Sequence, residues 1–161
     1  MRIEQATNSD RDELIKLHYF YGETFPFVPK SRKQGEIQWM DYYLDNQGEF
    51  LAIFVARDST EIKGNIWIGR QREPEWSHKA GFGIVVSPDM HQQGIGSRLL
   101  EQAESWAQDQ NCHSISVDVV SIHQQALSFF KKHGYDIEAT RKESYLQETT
   151  FFDEHIMTKF L

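Results

Sequence analysis

Apolar positions alternate between strand and helical spacings along the chain. Residues 2 to 6 read as a short strand ending at Thr7, Asn8 and Ser9, any of which can cap the next helix. That helix places Leu14, Leu17, His18 and Tyr21 on one stripe. The prolines of Phe25, Pro26, Phe27, Val28, Pro29 forbid regular structure, so a lid or specificity segment is expected there, before a second helix around 33 to 45. An almost unbroken apolar run over 50 to 56 predicts a buried strand, followed after Asp58, Ser59 and Thr60 by another over 61 to 72. A third strand, 80 to 87, stops at Pro88. Over 94 to 110, Ile95, Leu99, Leu100, Ala103, Trp106 and Ala107 share a helical face, with Glu101, Glu104, Gln108 and Asp109 outside it. A strand over 114 to 120, a helix over 122 to 133 and two strands within 135 to 160 complete the predicted order: β, two helices, β, β, β, α, β, α, β, β.

Composition narrows the function. A chain of 161 residues that is 39% apolar and 13% aromatic has enough core for one domain, expected over 1 to 161. Acidic residues outnumber basic ones 24 to 17, which disfavours a general nucleic-acid binder. The single cysteine, Cys112, excludes an internal disulfide framework, and seven histidines without tight ligand spacing give no metal site. With no signal-like or membrane-spanning apolar run, the expectation is a cytoplasmic protein with neither nucleic acid nor membrane as partner.

The segment Val86 to Ser97, V-S-P-D-M-H-Q-Q-G-I-G-S, is the informative one. A strand stops at a proline, and glycines 94 and 96 open a long amphipathic helix, so main-chain N–H groups and the positive helix end can face an anion such as a diphosphate. There is no third glycine for G-x-G-x-x-G and no Gly-Lys-Ser/Thr ending, which disfavours NAD and ATP.

This loop resembles the acetyl-CoA loop of the GNAT superfamily of acyl-CoA-dependent N-acyltransferases. A second block, H-Q-Q-A-L-S-F-F-K-K-H-G-Y from His123 to Tyr135, is similar to that family's N-x-x-A-x-x-x-Y-x-x-x-G-F, with Ala126, Gly134 and Tyr135 in register. The resemblance implies a mixed α/β (α+β) fold: a twisted, mainly antiparallel sheet, helices on both faces and a splayed central strand pair. It implies acetyl-CoA as co-substrate and no metal. Backbone groups of Ile84, Val85 and Val86 would pair with pantetheine, and Gln92, Gln93, Gly94, Ile95, Gly96 and Ser97 would hold the diphosphate. His91 stands where the family usually has Arg or Gln, His123 where it has Asn, and Phe130 where it has the Tyr often proposed to protonate the departing thiolate. Phe130 can still pack beside pantetheine, while His123, Tyr135, Tyr145 or water would supply that proton. Nearby cations for the coenzyme are Arg98, Lys131 and Lys132.

The implied reaction is direct acetyl transfer to an amine. An ordinary amine is mostly protonated at neutral pH, so a base or polar channel is needed; His78 and Glu23 are the candidates, Ala80 occupying the position where some family members have glutamate. A backbone N–H of Val85 or Val86 would stabilise the oxyanion. Glu23, Glu36, Asp41 and Asp45 would attract a cationic acceptor, and Phe25, Phe27, Trp39 and Tyr42 would shape its walls, favouring a small amine or polyamine. A protein or peptide acceptor is an alternative, as is an amino acid, which calls for a cation to meet its carboxylate. Two rival readings are an acyl-CoA sensor with little turnover and a structural domain without cofactor. A homodimer is expected by family analogy. Cys112, at the far end of the helix from the glycine loop, is not expected to be a nucleophile.

Overall fold

A computed structural model describes the backbone of residues 1–24 and 33–161 and the side chains of 1–19 and 38–161. The expected lid around Phe25 and Phe27, and the side chains of Tyr21, Glu23 and Glu36, lie outside the described residues. The strands are β1 (Arg2–Gln5), β2 (Leu51–Arg57), β3 (Ile62–Arg70), β4 (Lys79–Val86), β5 (Ser114–Val120), β6 (Asp136–Gln147) and β7 (Thr150–Phe160). The helices are α1 (Arg11–Thr24), α2 (Lys33–Asp45), α3 (Ile95–Asp109) and α4 (Gln124–Lys132). The predicted order is observed, with boundaries shifted by one or two residues at most elements.

The strands form one sheet ordered β1-β2-β3-β4-β5-β7-β6, antiparallel between all neighbours except β4 and β5. Because strand side chains alternate faces, its central strands carry two apolar layers. Ile66, Ile68, Ala80, Phe82, Ile115 and Val117 pack with Leu99, Leu100, Ala103 and Trp106 of α3 and with Leu127 and Phe130 of α4. Ile53, Val55 and Val85 face the other way, against Leu14 and Leu17 of α1 and Met40 and Leu44 of α2. The six apolar residues predicted for the inner face of α3 are its buried residues. Ion pairs fasten the edge: Arg57 on β2 reaches Glu4 on β1 at 3.2 Å and Glu13 on α1 at 2.9 Å, and also pairs with Asp10.

The break in the sheet positions the site. β4 pairs with β5 only through Lys79↔Ser114, Ala80↔Ile115 and Gly81↔Ser116. Beyond Gly81, β4 continues along β3 to Val86, while β5 stays with β7 through Val120. The two strands therefore part like a fork, open toward α3. No described helix is long and apolar enough to cross a membrane.

Candidate functional site

A cavity of about 1900 Å³ occupies the fork and spreads over both sheet faces. Hydrogen-bond parity on β4 determines which main-chain groups face it. The Ser87 amide donates to the Lys63 carbonyl at 2.8 Å, and the Lys79 carbonyl accepts from Gln71 at 3.2 Å. Odd-numbered β4 residues thus turn their backbone to β3, including Val85 opposite Asn65, and even-numbered residues turn theirs to the β5 side. The Phe82 N–H is taken by the Ser116 carbonyl in the last β4–β5 bridge, so Phe82 offers only its C=O to the gap, and Ile84 and Val86 present both N–H and C=O groups to it. Val85 does not: its amide belongs to the β3 ladder and its side chain to the α1–α2 layer. This corrects the expectation that Val85 contacts pantetheine or the oxyanion through its backbone.

At the open end, a 3-10 turn over Pro88–Met90 leads to Gly94, which caps α3 at φ +77°. An L side chain is strained there, so glycine is the residue that lets the chain enter α3 with its first-turn amides toward the cavity. Such amides have no partner within their own helix. Met90, His91, Gln92, Gly94, Ile95, Gly96 and Ser97 line the cavity. Gln93 is outside the described lining, its amide donating to the Asp89 carbonyl at 3.1 Å. The His91 Nε2 donates to the Val86 carbonyl at 3.0 Å.

Two expected cations are placed differently. Arg98 donates to the Met1 carbonyl at 3.0 Å, which anchors the N-terminus to α3 and turns the guanidinium from the loop. Lys132 lines the cavity, and Lys131 is not among its lining residues.

On α4 and at its two caps, His123, Ala126, Phe129, Phe130 and His133 border the cavity. Phe130 is buried edge-on to Phe82, with ring centroids 5.7 Å apart. Burial, together with neighbouring His91, lowers the His123 pKa. Tyr135 is displaced from the proton-donor role: it is fully buried in the core, its hydroxyl donates to Glu104 at 3.0 Å, and burial drives its pKa well up. Tyr145 borders the cavity from β6. His78 borders it too, but at the closed end, where its carbonyl accepts from the His113 and Ser114 amides at 2.7 and 3.2 Å. It stands just before the paired residues Lys79 to Gly81 rather than along the parted length of β4. Cys112 is buried in the core, where burial raises its pKa, and does not border the cavity.

The opposite face holds residues that the sequence reading did not assemble. His18 of α1, Trp39 of α2 and Trp67 of β3 form one wall; centroids lie 5.2 Å apart for His18 and Trp67 and 4.8 Å for the two tryptophans. Trp67 can lie there because Gly83 opposes it: a Cβ on Gly83 would come within 1.9 Å of its Cζ2. The His18 Nε2 donates to Asn65 Oδ1 at 3.0 Å, and burial holds its pKa down to about 4. Asn65 is fully buried, and its Nδ2 has no partner among the described residues. The other wall is charged: Arg141 of β6 lies 2.8 Å from Asp118 of β5 and 3.4 Å from Glu154 of β7. Of the acidic residues expected to draw an acceptor, Asp41 is paired with Arg11 and Asp45 accepts from Asn8 at 3.2 Å; neither borders the cavity. Tyr42 is exposed outside it, whereas Trp39 is part of the wall. Only three-dimensional pairing joins His18 to Asn65, 47 residues apart.

The fold is shared with known proteins that the chain resembles. The model of the Acetyltransferase (GNAT) family matches residues 14–135. The L-amino acid N-acetyltransferase AaaT of Escherichia coli (strain K12) is 27% identical over 98% of this chain and 96% of its own length. A ribosomal-protein-alanine N-acetyltransferase from Brucella melitensis shares the fold over all of both chains at 17% identity, with a TM-score of 0.85. YncA of Salmonella typhimurium, solved with its cofactor acetyl-CoA, superposes at a TM-score of 0.83 and 13% identity over 100% of this chain and 94% of its own. By its family match across most of its length and by its fold, the chain belongs to the GNAT acetyltransferase family.

Proposed function

We propose that the protein moves an acetyl group from acetyl-CoA to the amine of a small molecule, and that the acceptor also carries a carboxylate, as an amino acid does. The observation that carries the first part is the three-residue β4–β5 pairing, beyond which Phe82, Ile84 and Val86 present main-chain groups to a gap ending at the α3 first turn. A pantetheine arm has amides that can pair with such a strand, and a diphosphate suits the helix end. The residues present fit the coenzyme without any particular side chain on β4. Ile84 and Val86 would supply the strand contacts, the amides of Gln92, Gly94, Ile95, Gly96 and Ser97 would hold the diphosphate, and Lys132 would add positive charge.

The thioester would then lie near the crotch of the fork, where a gap-facing N–H of Ile84 or Val86 can stabilise the oxyanion. The amine nitrogen forms a bond to the acyl carbon, the carbon–sulfur bond breaks, and the nitrogen gives up a proton. His123, kept uncharged by burial and by His91, offers one N–H and one lone pair beside the coenzyme, so it can hydrogen-bond the leaving sulfur or relay the proton.

The second part rests on the acceptor face. The neutral wall of His18, Trp39 and Trp67 accommodates an apolar side group, Asp118 and Glu154 suit an ammonium, and Arg141 supplies the cation that a carboxylate needs. The amino-acid activity in the name of the Escherichia coli relative supports this reading. Release of CoA thiol from acetyl-CoA, measured across amino acids, their amides and esters, polyamines and peptides, tests it. Amine-dependent release fastest with free amino acids is expected. Release only with polyamines or peptides would overturn the acceptor assignment, and coenzyme binding without amine-dependent release would overturn the reaction.

A further inference from the structure

His133, next to the glycine that ends α4, joins the two helix ends around the cavity. Its Nδ1 lies 2.8 Å from the Phe129 carbonyl, which can only accept, so Nδ1 carries a hydrogen. Its Nε2 lies 2.9 Å from the hydroxyl of Ser97 in the first turn of α3. The ring rests on Phe129 at 4.4 Å, and Phe129 packs under Gly96, where a Cβ would be 3.3 Å from its Cζ. The orientation of the Ser97 hydroxyl therefore depends on the charge of this ring. While the imidazole is neutral, Nε2 is an acceptor and the Ser97 hydrogen points to it. When the imidazole is charged, Nε2–H donates to Ser97 Oγ, and the hydroxyl hydrogen is released to the cavity side.

We propose that His133 is a positioning residue that links coenzyme binding to proton uptake: a diphosphate on the α3 first turn draws a proton onto His133, and Ser97 then donates to the phosphate. The inference rests on the coenzyme reading above. An anion at that turn favours both the added charge on the ring and the outward hydroxyl, so the two changes support each other. The loop has His91 where an arginine would give a permanent charge, and Arg98 is tied to Met1. The other charged and titratable groups around the junction are Lys131 and Lys132 on α4, Glu101 and Glu104 on α3, Lys159 on β7 and His123. The Lys159 ammonium is bound to Glu104 at 2.8 Å.

Calorimetric titration of the full chain with 3′-dephospho-CoA, in buffers of different ionisation heat near pH 7, tests the link. This probe lacks the terminal phosphate whose own ionisation would mask the signal. The unaltered protein is expected to take up several tenths of a proton per molecule bound, with affinity weakening about fivefold between pH 6 and pH 8. His133→Gln keeps a hydrogen-bond donor without a titrating group, and Ser97→Ala removes the hydroxyl; in both, uptake and pH dependence are expected to shrink. Zero uptake in the unaltered protein, or uptake in both variants as large as in the unaltered protein, overturns the proposal, as does uptake that disappears in His91→Gln alone. Absence of any binding would instead remove the coenzyme reading on which it stands.

Discussion

Ile84 and Val85 are adjacent in the chain yet belong to different halves of the site. The Ile84 backbone faces the gap and its side chain packs toward the α3 layer; the Val85 backbone is bound to β3 and its side chain packs toward α1 and α2. The proposed coenzyme half is built from main-chain groups, a positive-φ glycine and a helix end. The proposed acceptor half is built from side chains on α1, α2, β3, β5, β6 and β7. A main-chain site tolerates substitution wherever the backbone path survives, whereas a side-chain site can change its ligand through one residue. Conservative substitutions are therefore expected to divide into those that damage the backbone path and those that retune acceptor choice.

The strongest challenge to this division is Gly83→Ala. Its Cβ would overlap the Trp67 ring, so the tryptophan must leave the wall or β4 must shift. We expect a loss of about 3 kcal/mol in chemical denaturation, with acceptor turnover falling further than coenzyme binding. A comparable effect is expected from acid on His18. Its folded pKa, about 4, lies below the ordinary value of 6.5, so the unfolded state binds the proton first. Stability is full above pH 6.5 and declines as the pH falls toward 4, by about 3 kcal/mol. His18→Gln should flatten that decline in pH-dependent denaturation curves, and an unchanged slope would contradict the buried, uncharged assignment.

Smaller effects sharpen the comparison. Gly94→Ala forces a side chain into left-handed backbone, with an expected cost of about 1 to 2 kcal/mol and weaker coenzyme binding by titration. Arg141→Ala should raise KM for carboxylate-bearing acceptors by about tenfold, as expected for one lost charge-assisted bond, and leave coenzyme affinity unchanged. Arg98→Ala should alter coenzyme affinity least, by less than about twofold, because its guanidinium is bound to Met1 rather than to the loop.

The legible parts of the sequence were those in which local pattern and local structure coincide. The apolar face of α3, the Gly94 turn and the alternation of β5 are each encoded within some twenty residues, and all appear as expected. The direction of the Val85 amide was not legible, because it depends on the register with β3 that Ser87 and Lys63 set. Nor was the acceptor wall: His18 reads as one apolar-stripe position and Asn65 as a polar interruption in a strand, and their pairing exists only after α1 lies on β3. The acidic residues near α2 looked available because nothing in sequence announces that Arg11 meets Asp41. Tyr135 was misplaced for a related reason, since its motif position gave its neighbours in the chain but not the Glu104 carboxylate it binds.

Amide hydrogen exchange resolved at single residues on β4, with and without acetyl-CoA, tests the central claim most directly. The account predicts that the Val85 amide is protected in both states by the β3 ladder, while the Ile84 and Val86 amides gain protection when the coenzyme is added. Equal behaviour of the three amides, or coenzyme binding that leaves Ile84 and Val86 unchanged, would contradict the placement of the coenzyme in the β4–β5 gap.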